Sequence, residues 1–378
     1  MIGLTKRFMS DRGARVFTCV LLAGGVLAAC KHSNNMTNTQ GLWIANGTDV
    51  LEYIPNQLKG GTSAAVPHLQ LKSTSLGAPQ GVTFDKAGNL WVMDPEGVVN
   101  GAKTPALFEF SAAQLAALAT NSAPAPVAAI TYTGMKFPQQ AIFDPSGNLW
   151  VSDHDGNQVL VFTAAQVAMQ GVNPTVPAVV LTSAAFNGPL GIARDSAGDL
   201  FVSNNGSVMG ANNMASAAGT TIVEFTAAQL GTVPATGMNT PDLTPSVTLS
   251  DDGNGSIQSP WALAFDANGN LWSNNSAAPN TFVEFAKASL ATTAAPTPAI
   301  AISPVSVNGT PSLDAPNGLC FDNVGDIVNV DAADAFGIAF YTKAQIAMTA
   351  APVPNTFIVG MNTTLDAPAG CNFGPLVN

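Results

Sequence analysis

Asp153-His154-Asp155 sets an imidazole between two carboxylates, a grouping able to act as a general acid or to hold a metal ion. The same three residues suit a solvated loop, because neither His32 nor His68 is placed to join them. A second acidic run, Asp251-Asp252-Gly253-Asn254-Gly255, has the look of a calcium loop. An EF-hand frame begun at Ser250 lacks its first carboxylate, however, and puts Trp261 where the bidentate glutamate belongs, so the run reads as a plain loop. For nucleophilic chemistry there is neither a Gly-x-Ser-x-Gly elbow nor a Cys-x-x-Cys pair. Trp261 directly follows a proline, where an indole can stack on a sugar or another flat ligand.

The elements that must position these groups come from one phrase written six times. A proline, usually a glycine two residues later, and a hydrophobic stretch ending near Phe-Asp start at Pro79, Pro138, Pro189, Pro260, Pro316 and Pro368. The fullest copies continue through Gly-Asn into Leu-Trp-Val and a final acid, ending at Asp94 and Asp153. Period-2 alternation on both sides of an Asp-x-x-Gly-Asn turn makes each copy a β-hairpin, with Asp85, Asp144, Asp195, Asp266 and Asp322 as turn formers. A third strand follows, such as Leu107-Phe-Glu-Phe110. Ser111, Thr163 or Thr226 then caps a single helical turn, and a proline-led apolar segment supplies a fourth, outer strand.

A hairpin repeated in series cannot bury both faces alone, so the expected fold is all-β, a six-bladed β-propeller of four-stranded blades. The last copy, at Pro368, has an inner strand and little more, whereas residues 42–46 form a second strand without a first. Pairing them closes the last blade with both termini and removes the open edge. Tryptophans 43, 91, 150 and 272 recur at one place in the second strand and read as packing between blades. Cys320 and Cys371 lie in the inner strands of adjacent blades at positions of opposite parity, so their side chains meet in the gap between blades. A disulfide between them suits an oxidising compartment, with free thiols the alternative.

In this fold each inner strand begins, and each second strand ends, on one face, and the tight turns lie on the other. Second-strand ends give Asn46, Asp94, Asp153, Asn204, Asn275 and Asp331, and the residues after the prolines include Gln80, Gln139, Trp261 and Asn317. With His154 these form the expected ligand-binding mouth. Loops at 95–105, 205–219, 251–259 and 276–280 enlarge the same face.

Residues 1–29 carry Lys6, Arg7, Arg12 and Arg15 ahead of an apolar run at 16–26, which is an export signal. Leu27-Ala-Ala-Cys30 matches a lipobox, so Cys30 is the expected lipidation site, residues 30–40 a tether and residues 41–378 the propeller. Removing residues 1–29 takes four of the 13 basic and one of the 24 acidic residues, leaving 9 against 23, a formal charge of −14. That sign argues against a nucleic-acid partner.

The Pro-x-Gly and Gly-Asn-hydrophobic-aromatic-Val-x-Asp phrases, with Asp153-His-Asp-Gly-Asn157 as the fullest continuation, resemble NHL-repeat propellers across residues 41–378. Gln158 stands where that family often has arginine. Sugar lactonases and antibiotic-linearising lyases share the six-bladed fold, and Pro316-Asn317-Gly318 resembles part of the lactonase cation site, without a counterpart for its glutamate. The expectation is a lipid-anchored envelope protein, Lys31 favouring the outer membrane, whose loop-rich face binds a polar ligand, a glycan or an envelope protein and needs no cofactor. The rival is a lactonase-like hydrolase or lyase using Asp153, His154 and Asn317 around a divalent cation.

Overall fold

Each tight turn is closed by its own aspartate. Asp85 Oδ1 accepts the N–H groups of Ala87 (2.8 Å) and Asn89 (2.9 Å), and Asp144, Asp195, Asp266 and Asp322 do the same in their copies. The turn glycines need the left-handed region, with φ of 83° at Gly88 and 90° at Gly198. The next residue ties the turn to the rest of its blade. Asn89, Asn148, Asp199, Asn270 and Asp326 each accept the first N–H of the helical turn after the third strand, from Ala112, Ala164, Ala227, Lys287 and Lys343. Ser111, Thr163 and Thr226 cap that turn reciprocally with Gln114, Gln166 and Gln229.

In this computed structural model the described residues are 39–206, 219–234, 238–332, 337–360 and 363–377. Residues 1–29, Cys30, residues 31–38 and the loop segment 207–218 lie outside them. The described residues form a six-bladed β-propeller. Blade 1 runs from the channel outward through Gly81–Phe84, Leu90–Asp94, Ala106–Phe110 and Ala128–Thr131. The inner strands of blades 2 to 5 are Pro138–Phe143, Pro189–Arg194, Pro260–Phe265 and Pro316–Phe321, and their second strands are Leu149–Asp153, Leu200–Asn204, Leu271–Asn275 and Ile327–Asp331.

Blade 6 joins the two ends of the propeller. Pro368–Pro375 pairs antiparallel with Gln40–Asn46, placing Phe373 opposite Leu42 and Cys371 opposite Ile44, and Asp49–Tyr53 and Leu69–Leu71 complete the sheet. Gln40 already pairs with Pro375, so the first strand begins one residue before the expected boundary. The blades are also strapped at the rim, which the repeat did not announce. Gly171–Pro174, from the blade 2 connection, pairs in parallel with the outer strand of blade 1, and Gly61–Ser63 does so on Thr356–Val359 of blade 5. Isolated parallel bridges at Val179–Asn239, Leu249–Ala294 and Ile302–Ala350 repeat the pattern, and Lys72 N–H donates to Ser122 at 2.6 Å across the seam. Two blades thereby carry a fifth strand, and each outer edge has a partner.

Between blades, an aromatic ring of one second strand meets the inner-strand Phe of the next. Trp43 meets Phe84 at 5.8 Å, Trp91 meets Phe143 at 6.3 Å and Trp272 meets Phe321 at 6.0 Å, all edge-on. In blade 3 Arg194 replaces the phenylalanine, and its guanidinium lies 4.8 Å from the Trp150 ring centre. One interior position breaks the pattern. Asn329 is 0% exposed with both amide atoms unpartnered, where blades 1, 2 and 3 have Val92, Val151 and Val202. Asn329→Val should therefore raise unfolding stability by about 1–3 kcal/mol, the cost of an unpaired buried amide. A urea midpoint no higher than that of the parent would refute this.

Candidate functional site at the axial mouth

The six residues that end the second strands are buried, from 0% exposure at Asp94 and Asp153 to 6% at Asp331, and none of them lines the channel. They hold the loop leading into their own inner strand. Asp94 accepts the N–H groups of Gly77 (2.7 Å) and Ala78 (3.0 Å), Asp153 those of Lys136 (3.0 Å) and Phe137 (2.6 Å), and Asp331 those of Asp314 and Ala315. Where the residue is asparagine, the loop turns carbonyls inward as well. Asn46 donates to Thr364 and accepts from Asp366, Asn204 donates to Ala185 and accepts from Asn187, and Asn275 donates to Gly255 and Ser256 and accepts from Gln258. The expected ring of ligand groups is thus a ring of loop anchors, because buried strand-end N–H and C=O groups require partners.

Burial raises the carboxyl pKa of Asp94 and of Asp153, against hydrogen bonds that lower it. His154 is also enclosed, with Nδ1 2.6 Å from Asp155 and its backbone N–H bonded to Phe137. It is not among the residues lining the axial mouth, and neither is Asp153. The trio Asp153, His154 and Asn317 is therefore not assembled around one cavity. The Asp251 loop closes on itself, with Asp251 accepting from Gly253, Ser256 and Ile257, and among the described residues no cluster of three or more His, Cys, Asp or Glu could hold a metal.

The residues after the prolines do converge. Gln80, Gln139, Leu190, Trp261 and Asn317 line the loop-side mouth of the channel together with Gln140 and Gly370, around a cavity of about 20 Å³, the room of a single water, that opens to solvent. The Pro-x-Gly glycine explains how they come so near the axis. A Cβ at Gly81 would sit 2.1 Å from the Gln139 carbonyl oxygen, and one at Gly318 would sit 2.5 Å from that of Ala369. Inner strands therefore pack against each other where only glycine fits. Blade 2 has Gln140 instead, and its Oε1 accepts the Ile192 N–H of blade 3 at 2.9 Å.

Gln139 is 5% exposed, and its amide makes no hydrogen bond to any described residue; the Asn317 amide and the Trp261 indole N–H are likewise without a partner among them. The Gln80 side-chain amide donates to the Ala78 carbonyl at 3.1 Å. Among the described residues no ionisable side chain lines this mouth. The opposite end widens to a cavity of about 370 Å³ lined by Phe143, Phe265, Phe321, Asn372 and Arg194 among others, a funnel that the loop lengths did not mark. Arg194 is committed there, bonded to Gly198 O and 3.7 Å from Asp144. Cys320 and Cys371 are joined across blades 5 and 6, with Cα atoms 6.0 Å apart. His68 has company after all, 3.0 Å from the fully buried Glu52, which also accepts the Val377 N–H.

No protein-family model matches the sequence, and no curated protein matches it. Several solved structures share the fold. A putative 6-phosphogluconolactonase from Bacteroides uniformis is similar with TM-score 0.52 and 12% identity, covering 89% of this chain and 100% of that one. A Bacteroides caccae protein of unknown function gives TM-score 0.53 at 10% identity, covering 89% and 100%. A chain of a nidogen–laminin complex gives 0.50 at 12%, covering 90% and 99%. The likeness is one of fold. It spans a protein named as an enzyme and one solved in an assembly, so fold does not choose between catalysis and binding.

Third-strand glutamates give the propeller a readable pH response. Burial raises the carboxyl pKa of Glu109, Glu224 and Glu284, and Asp85, Asp199 and Asp266 beside them add repulsion. The folded state then binds these protons more tightly than the unfolded chain does. The penalty is absent below the unfolded glutamate value and grows as pH rises through the folded one. Melting temperature should be higher near pH 5 than near pH 7.5, and Glu284→Gln should raise it at the higher pH only. Equal gains at both values would show that charge is not the cause.

Proposed function

We propose that this protein is a binding module whose ligand docks at the loop-side mouth of the propeller channel. The observation that carries the reading is chemical: among the described residues the mouth collects amides and an indole with unused hydrogen-bonding capacity, and no acid, base or nucleophile. The rival hydrolase or lyase reading keeps only Asn317 at the mouth. An amide oxygen without a carboxylate beside it is a poor sole protein ligand for a divalent cation.

The export segment and the lipobox at Cys30 support a place on the cell envelope, held by lipid, with Lys31 favouring the outer membrane. Labelled palmitate incorporated by the parent and lost in Cys30→Ala tests that placement. For the site, a small-molecule thermal-shift screen should yield compounds that raise the melting temperature of the parent but not of Trp261→Ala or Gln139→Ala. Stabilisation that survives both substitutions would move binding elsewhere on the surface. Turnover of a lactone panel that depends on Asn317 would establish the enzyme instead.

A further inference from the structure

We propose that the mouth takes an uncharged sugar, either a free monosaccharide or the terminal ring of a glycan, and this rests on the binding reading given above. In a ring of six, blade 1 lies opposite blade 4 and blade 2 opposite blade 5. Gln80 therefore faces Trp261 across the axis, and Gln139 faces Asn317, with Leu190 and Gly370 filling the two remaining sectors. The result is a rim with amides in three sectors and an indole in a fourth.

Each amide offers both a donor and an acceptor, which is the pattern a hydroxyl needs because a hydroxyl also does both. Among the described residues a carboxylate or phosphate ligand would find no cation at this mouth, and an ammonium would find no anion. Either ion would surrender its hydration without a charged partner. Gln139 is the strongest pointer. The residue is nineteen-twentieths buried and its amide is bonded to no described residue, so the amide's remaining contact is with the solvent of the mouth, where a ligand hydroxyl can replace water. Trp261 is half-buried, leaving part of its ring for the apolar face of a pyranose. The cavity between the crowded Pro-x-Gly strands has room for a hydroxyl or hydroxymethyl group only, so the sugar ring itself rests at the rim beside Trp261.

The test uses the full mature chain titrated with galactose, glucose, cellotriose, chitotriose and trigalacturonate, followed by tryptophan fluorescence and calorimetry. The expected result is saturable binding of at least one neutral sugar with a fluorescence change, little altered between roughly 0.05 and 0.5 M salt. Gln139→Leu and Asn317→Leu should each weaken it by about tenfold, the value of one hydrogen bond to a buried polar group. Both variants must first melt like the parent, and if one does not, the other carries the comparison. A monosaccharide binding as tightly as its trimer identifies a free sugar, whereas a much tighter trimer identifies a glycan end.

Three results overturn the proposal. No neutral sugar binds at roughly 10 mM, which is weaker than the millimolar range of useful recognition; or trigalacturonate alone binds and salt removes it; or a sugar binds unaffected by either substitution. If trigalacturonate binding is lost in Gln139→Leu, the mouth stands and only the ligand class falls. If a bound sugar ignores both substitutions, the mouth falls as well.

Discussion

Asp153→Asn will destabilise the propeller by about 1–3 kcal/mol, although asparagine is the native residue at the same place in three other blades. The carboxylate takes two backbone N–H groups, from Lys136 and Phe137, and a third contact from the Gln158 amide at 2.7 Å, all in a fully buried setting. Asparagine can present one oxygen to that loop and must aim its NH2 at donors. Asp153→Ala leaves both N–H groups unpaired and costs roughly 2–6 kcal/mol, about 1–3 for each. The reverse exchange is an independent check. Asn204→Asp would set a carboxylate against the Ala185 carbonyl, which the amide now reaches at 2.9 Å, so it should also destabilise, and less so in acid where a proton restores a donor. Urea midpoints of the three variants at neutral and acidic pH decide the matter. A neutral outcome for Asp153→Asn would mean that the loop simply flips its peptide groups to match.

The second large effect concerns the seam. Replacing Cys320 and Cys371 together by alanine should cost about 4 kcal/mol, the chain-entropy value for releasing a loop defined by a sequence separation of 51 residues. The bond ties blade 5 to the inner strand of blade 6, the strand that pairs with Gln40–Asn46. Loss should therefore show first at the seam, as faster amide exchange in Pro368–Pro375 and Gln40–Asn46 than in the central blades. Adding reductant to the parent should reproduce the double substitution and leave the variant unchanged. Equal stability of parent and variant under oxidising conditions would remove the disulfide from any account of closure.

Much of this architecture was legible in the chain because the repeat carries its own local chemistry. Asp85, Gly88 and Asn89 specify a turn from neighbouring residues alone, and Ser111 with Gln114 specifies a cap three residues long. The incomplete copies at Leu42 and Pro368 predicted closure because an inner strand and a second strand each need a partner. The rim straps were not legible. They are short parallel pairings, two of them the strands Gly171–Pro174 and Gly61–Ser63 and the rest isolated bridges from segments such as those containing Asn239 or Ala294, whose sequences bear no strand period.

The geometry of the candidate site was readable by half. Gln80, Gln139, Trp261 and Asn317 were expected at the mouth from their place after a proline, and the structure brings them together there. Asp94, Asp153 and their four counterparts were placed on the right face, but their side chains turn into their own blades. Position in a strand sets the face a residue is on; it does not say whether a nearby loop will claim its hydrogen bonds.

Sequence by itself determined the number of hairpins, their turns and caps, and the joining of the two ends, because those depend on backbone preferences and period within a few residues. Tertiary structure alone decided which polar groups are spent and which are free. Asp153 and Gln139 are both buried polar side chains near one face; the first lies within reach of two loop N–H groups, and the second faces the axis, where glycine-thin strands crowd together and offer its amide no partner. That difference is set by contacts between residues distant in the chain, and it is what makes Gln139, and not Asp153, the centre of the candidate site.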